Sequence, residues 1–506
     1  MTTARESATR DAAAIASGIP SRALMQRAGA AAAAEIARAY APLLRGTVAI
    51  AAGPGNNGGD AWVVARALAT AGVRVRVEAV GDPRTDDARA ERTLAEPVVD
   101  AGGVDGARLI IDGLLGTGTR GAPRGAIAEC IARINAARDA GATVVALDVP
   151  SGLDADTGAA AHAVIADSTA TFGTLKRGLL VARAAAGRIV VLDIGLDARS
   201  DDDAPALVDE RRVYRTLPPI AANAHKGTRR RLVIVGGALG MAGAPMLAAR
   251  AAMRSGIGMV RVLVAPPNLA AVQQRVPYAL AGTWPERDDD VRASILDWAD
   301  AVVIGPGLGR TDASRALVER ILRAWRGPVL LDADALNVFA GSAAMLGSLL
   351  AGRAALITPH VAELGRLAGV ATANVESRRF EIGAELARTI NAAVLLKGVP
   401  TVISGVNGER LVSATGSPVL AAAGSGDLLS GIAGTLLAQL DDAVAAGACA
   451  AWAHGRAAEL ASIGHASIRG IALKRVERAL SDVWPGGEPS PDYPVLAELP
   501  AIRDQA

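Results

Sequence analysis

Ala423-Gly424-Ser425-Gly426-Asp427-Leu428-Leu429-Ser430-Gly431 decides how this chain is read. Small residues run into a carboxylate, and an apolar helix follows, marked by Leu428, Leu429, Ile432, Leu436 and Leu437. Backbone N–H groups of a Gly-Ser-Gly turn can wrap an anion, and a helix start adds the positive end of its dipole. Asp427 at that edge is placed to take a proton from a hydroxyl as it attacks a phosphate. Taken alone, it reads first as a helix cap. The rest of the chain decides between the two.

A length of 506 residues allows several domains, each able to bury a full core. Only 3% of residues are aromatic although 51% are hydrophobic, which points to alanine-rich helices packed closely on Val/Ile/Leu strands. Lys plus Arg (53) nearly balance Asp plus Glu (51), and the one basic run, Arg229-Arg230-Arg231, reads as a solvated strand entry. No nucleic-acid groove is expected. Cys130 and Cys449 sit in helical, alanine-rich contexts and read as small buried hydrophobes in a reducing compartment. No signal peptide or membrane span is read, since the apolar run 443–461 carries His454, Arg456 and Glu459. The expectation is a soluble, cytoplasmic protein.

In the first half, a helix over 21–40 is followed by a buried strand, Thr47-Val48-Ala49-Ile50-Ala51-Ala52. That strand enters Gly53-Pro54-Gly55-Asn56-Asn57-Gly58-Gly59-Asp60, then a helix over 61–71 and a strand over 73–80. Gly53, Gly55 and Gly58, with Glu78 further on, match the dinucleotide-binding fingerprint literally. Two asparagines and Asp60 argue otherwise, because amide and carboxylate oxygens suit a hard cation or a hydroxylated ligand better than a pyrophosphate. Two further strands end in polar, glycine-rich loops. Leu109-Ile110-Ile111 runs into Asp112-Gly113-Leu114-Leu115-Gly116-Thr117-Gly118-Thr119-Arg120-Gly121, and Val144-Val145-Ala146-Leu147 into Asp148-Val149-Pro150-Ser151-Gly152. Open α/β sheets bind ligands at strand carboxyl ends, so three such loops point to one site, against Asp112 and Asp148 as ordinary turn residues.

These blocks, with Leu24-Met25 and Ala28-Gly29, resemble the N-terminal epimerase domain of the bifunctional NAD(P)H-hydrate repair enzymes over residues 10–200. The resemblance implies a Rossmann-like three-layer αβα domain in which Asn57, Asp112 and Ser151 hold potassium. It also implies that Asn56, Asn57, Gly58, Gly59, Asp60, Gly116, Thr117, Gly118, Thr119, Arg120, Gly121 and Ala122 line the hydrate site, with Asp148 as acid/base. Ala61 stands where the family more often has glycine, and Lys176 reads as solvated. Inverting a carbinol carbon beside an enamine nitrogen needs loss and return of hydroxyl, or ring opening and reclosure. A carboxylate beside a cation serves either route.

Prolines and acidic residues over 206–222, preceded by Asp201-Asp202-Asp203, read as a linker between domains at 1–205 and 223–484, with 485–506 a loosely ordered extension. The second half repeats strand-loop-helix units with polar residues at strand ends, which favours a mostly parallel sheet covered on both faces. The polar blocks are Gly305-Pro306-Gly307-Leu308-Gly309, Asp332-Ala333-Asp334-Ala335-Leu336-Asn337, Thr358-Pro359-His360 with Glu363, and Lys397-Gly398-Val399-Pro400-Thr401. An ammonium closing a buried strand calls for an anionic partner, whereas His360 reads as site or as structure alike.

Together with Gly424-Ser425-Gly426-Asp427, these blocks resemble the ribokinase-like α/β dehydratase domain of the same family, over residues 215–480. By resemblance, Ala244, Gly307, His360 and Asp427 contact the hydrated nucleotide, while Lys397, Gly398, Val399, Pro400, Thr401 and Gly426 hold the adenine nucleotide. Asp427 then deprotonates the S-hydrate as it attacks ADP, with Mg2+ bridging the phosphates. Tyr278 stands where Glu is common, and Ala421-Ala422-Ala423 replaces a stretch where threonine or glycine is common. The expected substrates are NADHX, NADPHX and ADP, preferred over ATP on the resemblance alone, and the expected assembly is a homo-oligomer. Two competing readings are a small-molecule kinase carried on a Rossmann dehydrogenase domain, and a first domain serving as a scaffold with a decayed site.

Overall fold

The computed structural model describes residues 1–119, 121–196, 204–465, 467–488 and 493–501. It divides into two units, residues 1–204 with the C-terminal segment, and residues 205–489. In the first, strands β1 (Val48–Ala52), β2 (Val75–Ala79), β3 (Asp100–Ala101), β4 (Leu109–Gly113), β5 (Thr143–Leu147), β6 (Ser168–Phe172) and β7 (Arg188–Leu192) pair in parallel. β1 and β5 are buried almost throughout, as strands covered on both faces must be.

The second unit holds β8 (Ala206–Leu207), β9 (Arg231–Val235), β10 (Met259–Val264), β11 (Leu280–Thr283), β12 (Ala301–Ile304), β13 (Val329–Leu331), β14 (Ala355–Ile357), β15 (Ala393–Leu396), β16 (Thr401–Ser404) and β17 (Arg410–Ser413). Among the described residues their order is β11-β10-β9-β12-β13-β14-β15-β16-β17-β8, parallel except for β15-β16 and β16-β17. The last strand, β18 (Val495–Leu499), lies antiparallel to β7, giving the first sheet the order β18-β7-β6-β5-β4-β1-β2-β3. The first sheet starts in mid-sheet at β1, the second enters mid-sheet at β9 after the edge strand β8, and the strand order reverses at β1/β4 in one and β9/β12 in the other. Such reversals open crevices at the strand carboxyl ends.

Two boundary readings need correction. The expected linker, 206–222, carries β8 and the helix Glu210–Thr216, and it buries Val208 and Val213 in the second unit's core. Asp209 caps that helix by accepting from Arg212 N at 2.7 Å. The expected extension, 485–506, supplies β18, without which β7 would be a bare sheet edge. Arg188 pins β18, bonding both Glu35 and Glu498 at 2.8 Å. Residues 201–203, which precede the expected linker, and 489–492 and 502–506 of the expected extension lie outside the described residues.

The scarcity of aromatic residues shows in the packing. Helix Ser425–Leu440 meets helix Gly243–Arg254 so closely that a Cβ at Gly431 would stand 2.0 Å from the Ala248 carbonyl oxygen. Among the described residues, no helix is long and apolar enough to cross a membrane. Because that helix contact leaves no room for a methyl, Gly431→Ala is expected to destabilise the protein by about 1–3 kcal/mol, read as a lower urea midpoint with an unchanged slope.

Candidate active sites

In the first unit the helix after β1 starts earlier than the sequence suggests, at Asn56 rather than Ala61. Gly55 is its extended N-cap, and Gly58 packs so tightly on Gly53 that a Cβ there would lie 1.8 Å from the Gly53 carbonyl oxygen. Asn56 to Asp60 therefore open a helix, whose leading N–H groups have no partner within it until Gly59 N donates to the Gly55 carbonyl at 3.2 Å. Ala61 fits because it packs on Gly113, which has no side chain to collide with it.

Three loops are stitched together there. Asn57 Nδ2 donates to the carbonyls of Leu115 at 2.8 Å and Leu147 at 3.2 Å. The Ser151 hydroxyl donates to Asp112 Oδ1 at 2.6 Å and accepts from Leu115 N at 2.8 Å, while Ser151 N donates to Asp112 Oδ2 at 2.8 Å. Asp112 is 0% exposed, and burial, only partly offset by these hydrogen bonds, pushes its carboxyl up to about 6. Asn57 Oδ1 is buried with no hydrogen-bond partner. An orphaned amide oxygen beside a buried carboxylate and a hydroxyl suits a bound monovalent cation.

Asp148 stands at the end of β5 in the left-handed region, φ 63°, held by donation from its N–H to the Ala170 carbonyl at 2.7 Å. Such a conformation costs a non-glycine residue roughly 1–3 kcal/mol and clusters at functional sites. Lys176, read from sequence as solvated, is 1% exposed. Its ammonium bonds Asp148 Oδ1 at 2.6 Å and the Phe172 carbonyl at 2.9 Å. Donation from Thr174 N to the Phe172 carbonyl at 2.6 Å turns the chain directly after β6, and the lysine reaches back to the same carbonyl. A cavity of about 570 Å3 opens above this pair, lined by Asn56, Asn57, Asp60, Gly116 to Thr119, Asp148 and Lys176, and on another wall by Asp11 and Met25. Burial, reinforced by Asp148 and Asp11, holds the Asp60 carboxyl well above the usual range. Arg120 lies outside the described residues.

In the second unit, Gly424 in the left-handed region (φ 90°) is the N-cap of helix Ser425–Leu440. Asp427 is the third residue of that helix and caps nothing, so the capping reading fails. Burial, then the neighbouring Asp332, raises its carboxyl to about 7 against the opposing pull of Lys397. Lys397 closes β15, and its ammonium bonds Asp332 Oδ1 at 2.9 Å with Glu363 Oε2 3.7 Å away. Ser430, one turn beyond Gly426, donates to Asp332 Oδ2 at 2.6 Å. Arg379 donates to the carbonyls of Lys397 and Pro400, at 3.3 and 3.2 Å, and so shapes the 397–401 loop. Gly307 and Ala244 meet, since a Cβ on Gly307 would lie 3.2 Å from that of Ala244. His360 is a helix cap as well as a site candidate. Its Nδ1 accepts from Ala362 N and Glu363 N at 3.1 and 3.3 Å. Burial holds it below its usual range, and its Nε2 stands 3.4 Å from Glu363 Oε1. Tyr278 is 89% exposed.

The family model described as YjeF-related protein N-terminus matches residues 21–178, and that described as NAD(P)H-hydrate dehydratase matches residues 232–481. The bifunctional NAD(P)H-hydrate repair enzyme Nnr of Salinibacter ruber is 37% identical over 446 residues, which cover 80% of this chain and 81% of that protein. Its namesake from Escherichia coli is 37% identical over 397 residues, covering 75% and 74%. The chain belongs to the bifunctional NAD(P)H-hydrate repair enzymes. A similar solved structure, the ADP/ATP-dependent NAD(P)H-hydrate dehydratase from Bacillus subtilis co-crystallised with ATP/Mg2+, shares 30% identity, covers 55% of this chain and 98% of that one, and has a TM-score of 0.48.

The strand-end blocks read from the sequence lie at the carboxyl ends of the two sheets. The sequence missed Lys176 and Asp11 in the first, and Asp332, Ser430 and Arg379 as partners in the second. A signal did exist for Lys176: it follows the buried strand β6 within four residues, just as Lys397 follows β15. Removing the Lys176 ammonium leaves Asp148 without its cation in a poorly hydrated place. Lys176→Met is therefore expected to destabilise the protein by roughly 3 kcal/mol, most of it recovered in Lys176→Met/Asp148→Asn, as read from urea unfolding.

Proposed function

We propose that this chain repairs hydrated NADH and NADPH in two steps. The first unit interconverts R- and S-hydrates, and the second dehydrates the S-hydrate with conversion of ADP to AMP and phosphate. Family membership supports the reading, and one observation carries it for this chain. Each unit presents a carboxylate, Asp148 or Asp427, at the strand ends near a lysine, buried Lys176 or half-buried Lys397, an arrangement suited to proton transfer at a carbinol.

In the first site, Asn57, Asp112 and Ser151 would hold potassium, a role supported by the orphaned Asn57 Oδ1 and the buried Asp112. When bound, the ion supplies positive charge toward the substrate hydroxyl and satisfies that oxygen. Asp148, held by Lys176, exchanges the hydroxyl proton. The first turn of helix Asn56–Thr70, with Gly116 to Thr119, grips the nicotinamide nucleotide.

In the second site, Asp427 accepts the carbinol proton as the hydroxyl oxygen attacks the terminal phosphorus of ADP and AMP departs. The N–H groups of Gly424, Gly426 and Asp427 face the charge that develops on the phosphoryl oxygens, while that of Ser425 is held by the Ala422 carbonyl at 3.2 Å. Phosphate then leaves C6 as a proton leaves C5, restoring the dihydropyridine. Ala244, Gly307 and His360 hold the hydrate, and Lys397 to Thr401 with Gly426 hold the adenine nucleotide. Mg2+ bound to ADP would relieve the mutual repulsion of Asp427, Asp332 and Asp334. The proposal includes self-association and residence in the cytoplasm, both of which rest on the family alone.

The kinase alternative predicts a stable phosphorylated product; the scaffold alternative predicts that R-hydrate is never consumed. Recovery of reduced-nicotinamide absorbance from a mixed R/S hydrate sample with K+, Mg2+ and ADP separates the three. Full recovery is expected, falling to the S fraction in Asp148→Asn. A wild type that leaves R-hydrate untouched ends the epimerase reading, and a phosphorylated end product ends the dehydratase reading. Because Asp427 must be ionised to act and titrates at about 7, kcat/KM for S-hydrate should rise about tenfold per pH unit below that point and level off above it. In Asp427→Asn that limb should vanish along with most of the activity.

A further inference from the structure

Helix Ala4–Ala16 precedes the stretch matched by the first family model, which begins at residue 21. It is fastened next to the lysine that holds Asp148. Thr2 N donates to the Leu175 carbonyl and Arg177 N donates to the Thr2 carbonyl, both at 3.0 Å, so Thr2 forms a parallel bridge with Lys176 itself. The Thr2 and Thr174 hydroxyls lie 2.8 Å apart, and Ala4 N donates to Asp156 Oδ1 at 2.6 Å. Thr3 and Glu6 close a capping box at the helix start. From these anchors the helix runs along the cavity, presenting Ser7, Asp11 and Ile15 to it.

None of the anchors uses Asp11. Its carboxyl is half-buried, makes no hydrogen bond or ion pair among the described residues, and shares its surroundings with Lys176 and Asp148. Burial raises its pKa, with Lys176 opposing and Asp148 adding to the rise. Asp11, Asp60 and Asp148 thus share a cavity in which Lys176 is the buried cation. The fold gains nothing from placing an unpartnered acid beside two others, because like charges raise its cost. A site that needs one carboxyl to give a proton while another takes one gains a matched pair.

We propose that Asp11 is a further catalytic residue of the epimerase site, acting on the hydrated ring as the acid partner of Asp148. The inference rests on the epimerase reading of the first unit. In the ring-opening step, Asp148 takes the proton of the C6 hydroxyl, the oxygen's electron pair forms the C6 carbonyl, and the C6–N1 bond breaks. Its electron pair goes to N1, which takes the proton of the Asp11 carboxyl. After rotation about C5–C6, N1 attacks the other carbonyl face, returns its proton to Asp11, and the new hydroxyl recovers the proton held by Asp148. Protons and electrons balance over the cycle, and no oxidant or reductant enters.

The test uses the full-length protein with K+, Mg2+ and ADP, supplied separately with R- and S-NADH hydrate, and compares wild type, Asp11→Asn and Asp11→Glu. Asp11→Asn should lower kcat for R-hydrate about a hundredfold with KM changed less than about threefold. S-hydrate dehydration and the melting temperature should stay at their wild-type values, and Asp11→Glu should restore a measurable part of the lost kcat. An Asp11→Asn enzyme within about twofold of wild type on R-hydrate overturns the assignment. So does a loss confined to KM, or one that Asp11→Glu shares in full. Failure of the wild type to consume R-hydrate is a different result: it removes the epimerase reading, and this inference with it.

Discussion

A lysine ammonium bonded to a buried or half-buried carboxylate at the strand ends underlies each site. Lys176 holds Asp148 between neighbouring strands β6 and β5, and Lys397 holds Asp332 across the end of β14. Neither partner could remain charged there alone, because removing an ion from water costs more than one neutral contact returns. Each lysine therefore depends on its aspartate, and the backbone around both is fixed accordingly. The left-handed Asp148 is tolerated in the first unit and the left-handed Ala333 (φ 50°) in the second, each beside its pair. Strain and charge are concentrated where the chemistry is proposed.

The two pairs are used differently. Lys176 bonds the proposed base itself, so Asp148 is held in place at the cavity. Lys397 bonds a neighbour, Asp332, and burial of Asp427, with the charge of Asp332 beside it, raises its carboxyl to about 7 against the pull of Lys397. A base with that affinity for protons is well matched to a hydroxyl attacking a phosphoryl group near neutral pH. Ser430 extends the second network, since it satisfies the other oxygen of Asp332 from the same helix that carries Asp427. The anion-facing helix start and the buried pair are thereby joined by one hydrogen bond.

Both sheets place these groups by the same rule. Parallel strands fed by crossover helices bring every strand's carboxyl end to one edge, and the reversal of strand order leaves a crevice there. Alanine-rich helices allow the layers to approach closely, as at Gly431 and at Ala61 over Gly113. Small side chains in the layers thus leave the polar groups of the loops as the main bulk at the sheet edge.

The sequence by itself determined the two-unit α/β architecture and most of the site blocks. Strand periodicity and loop chemistry are local: Asp112, Asp148 and Lys397 follow apolar runs directly, Asn57 and Ser151 lie a few residues beyond one, and Asp427 precedes one. It also determined that Lys397 needs an anion, because an ammonium closing a buried strand has nowhere else to go. What it left open was every partner separated along the chain: Asp332 and Ser430 for Lys397, Asp148 for Lys176, and the arrival of Asp11 from a helix more than a hundred residues away. Only the tertiary structure decided that Lys176 is buried, that Val495–Leu499 completes the first sheet, and that Glu210–Thr216 belongs to a core. Burial and charge pairing are properties of a neighbourhood, and neighbourhoods form only when distant segments are brought together by packing.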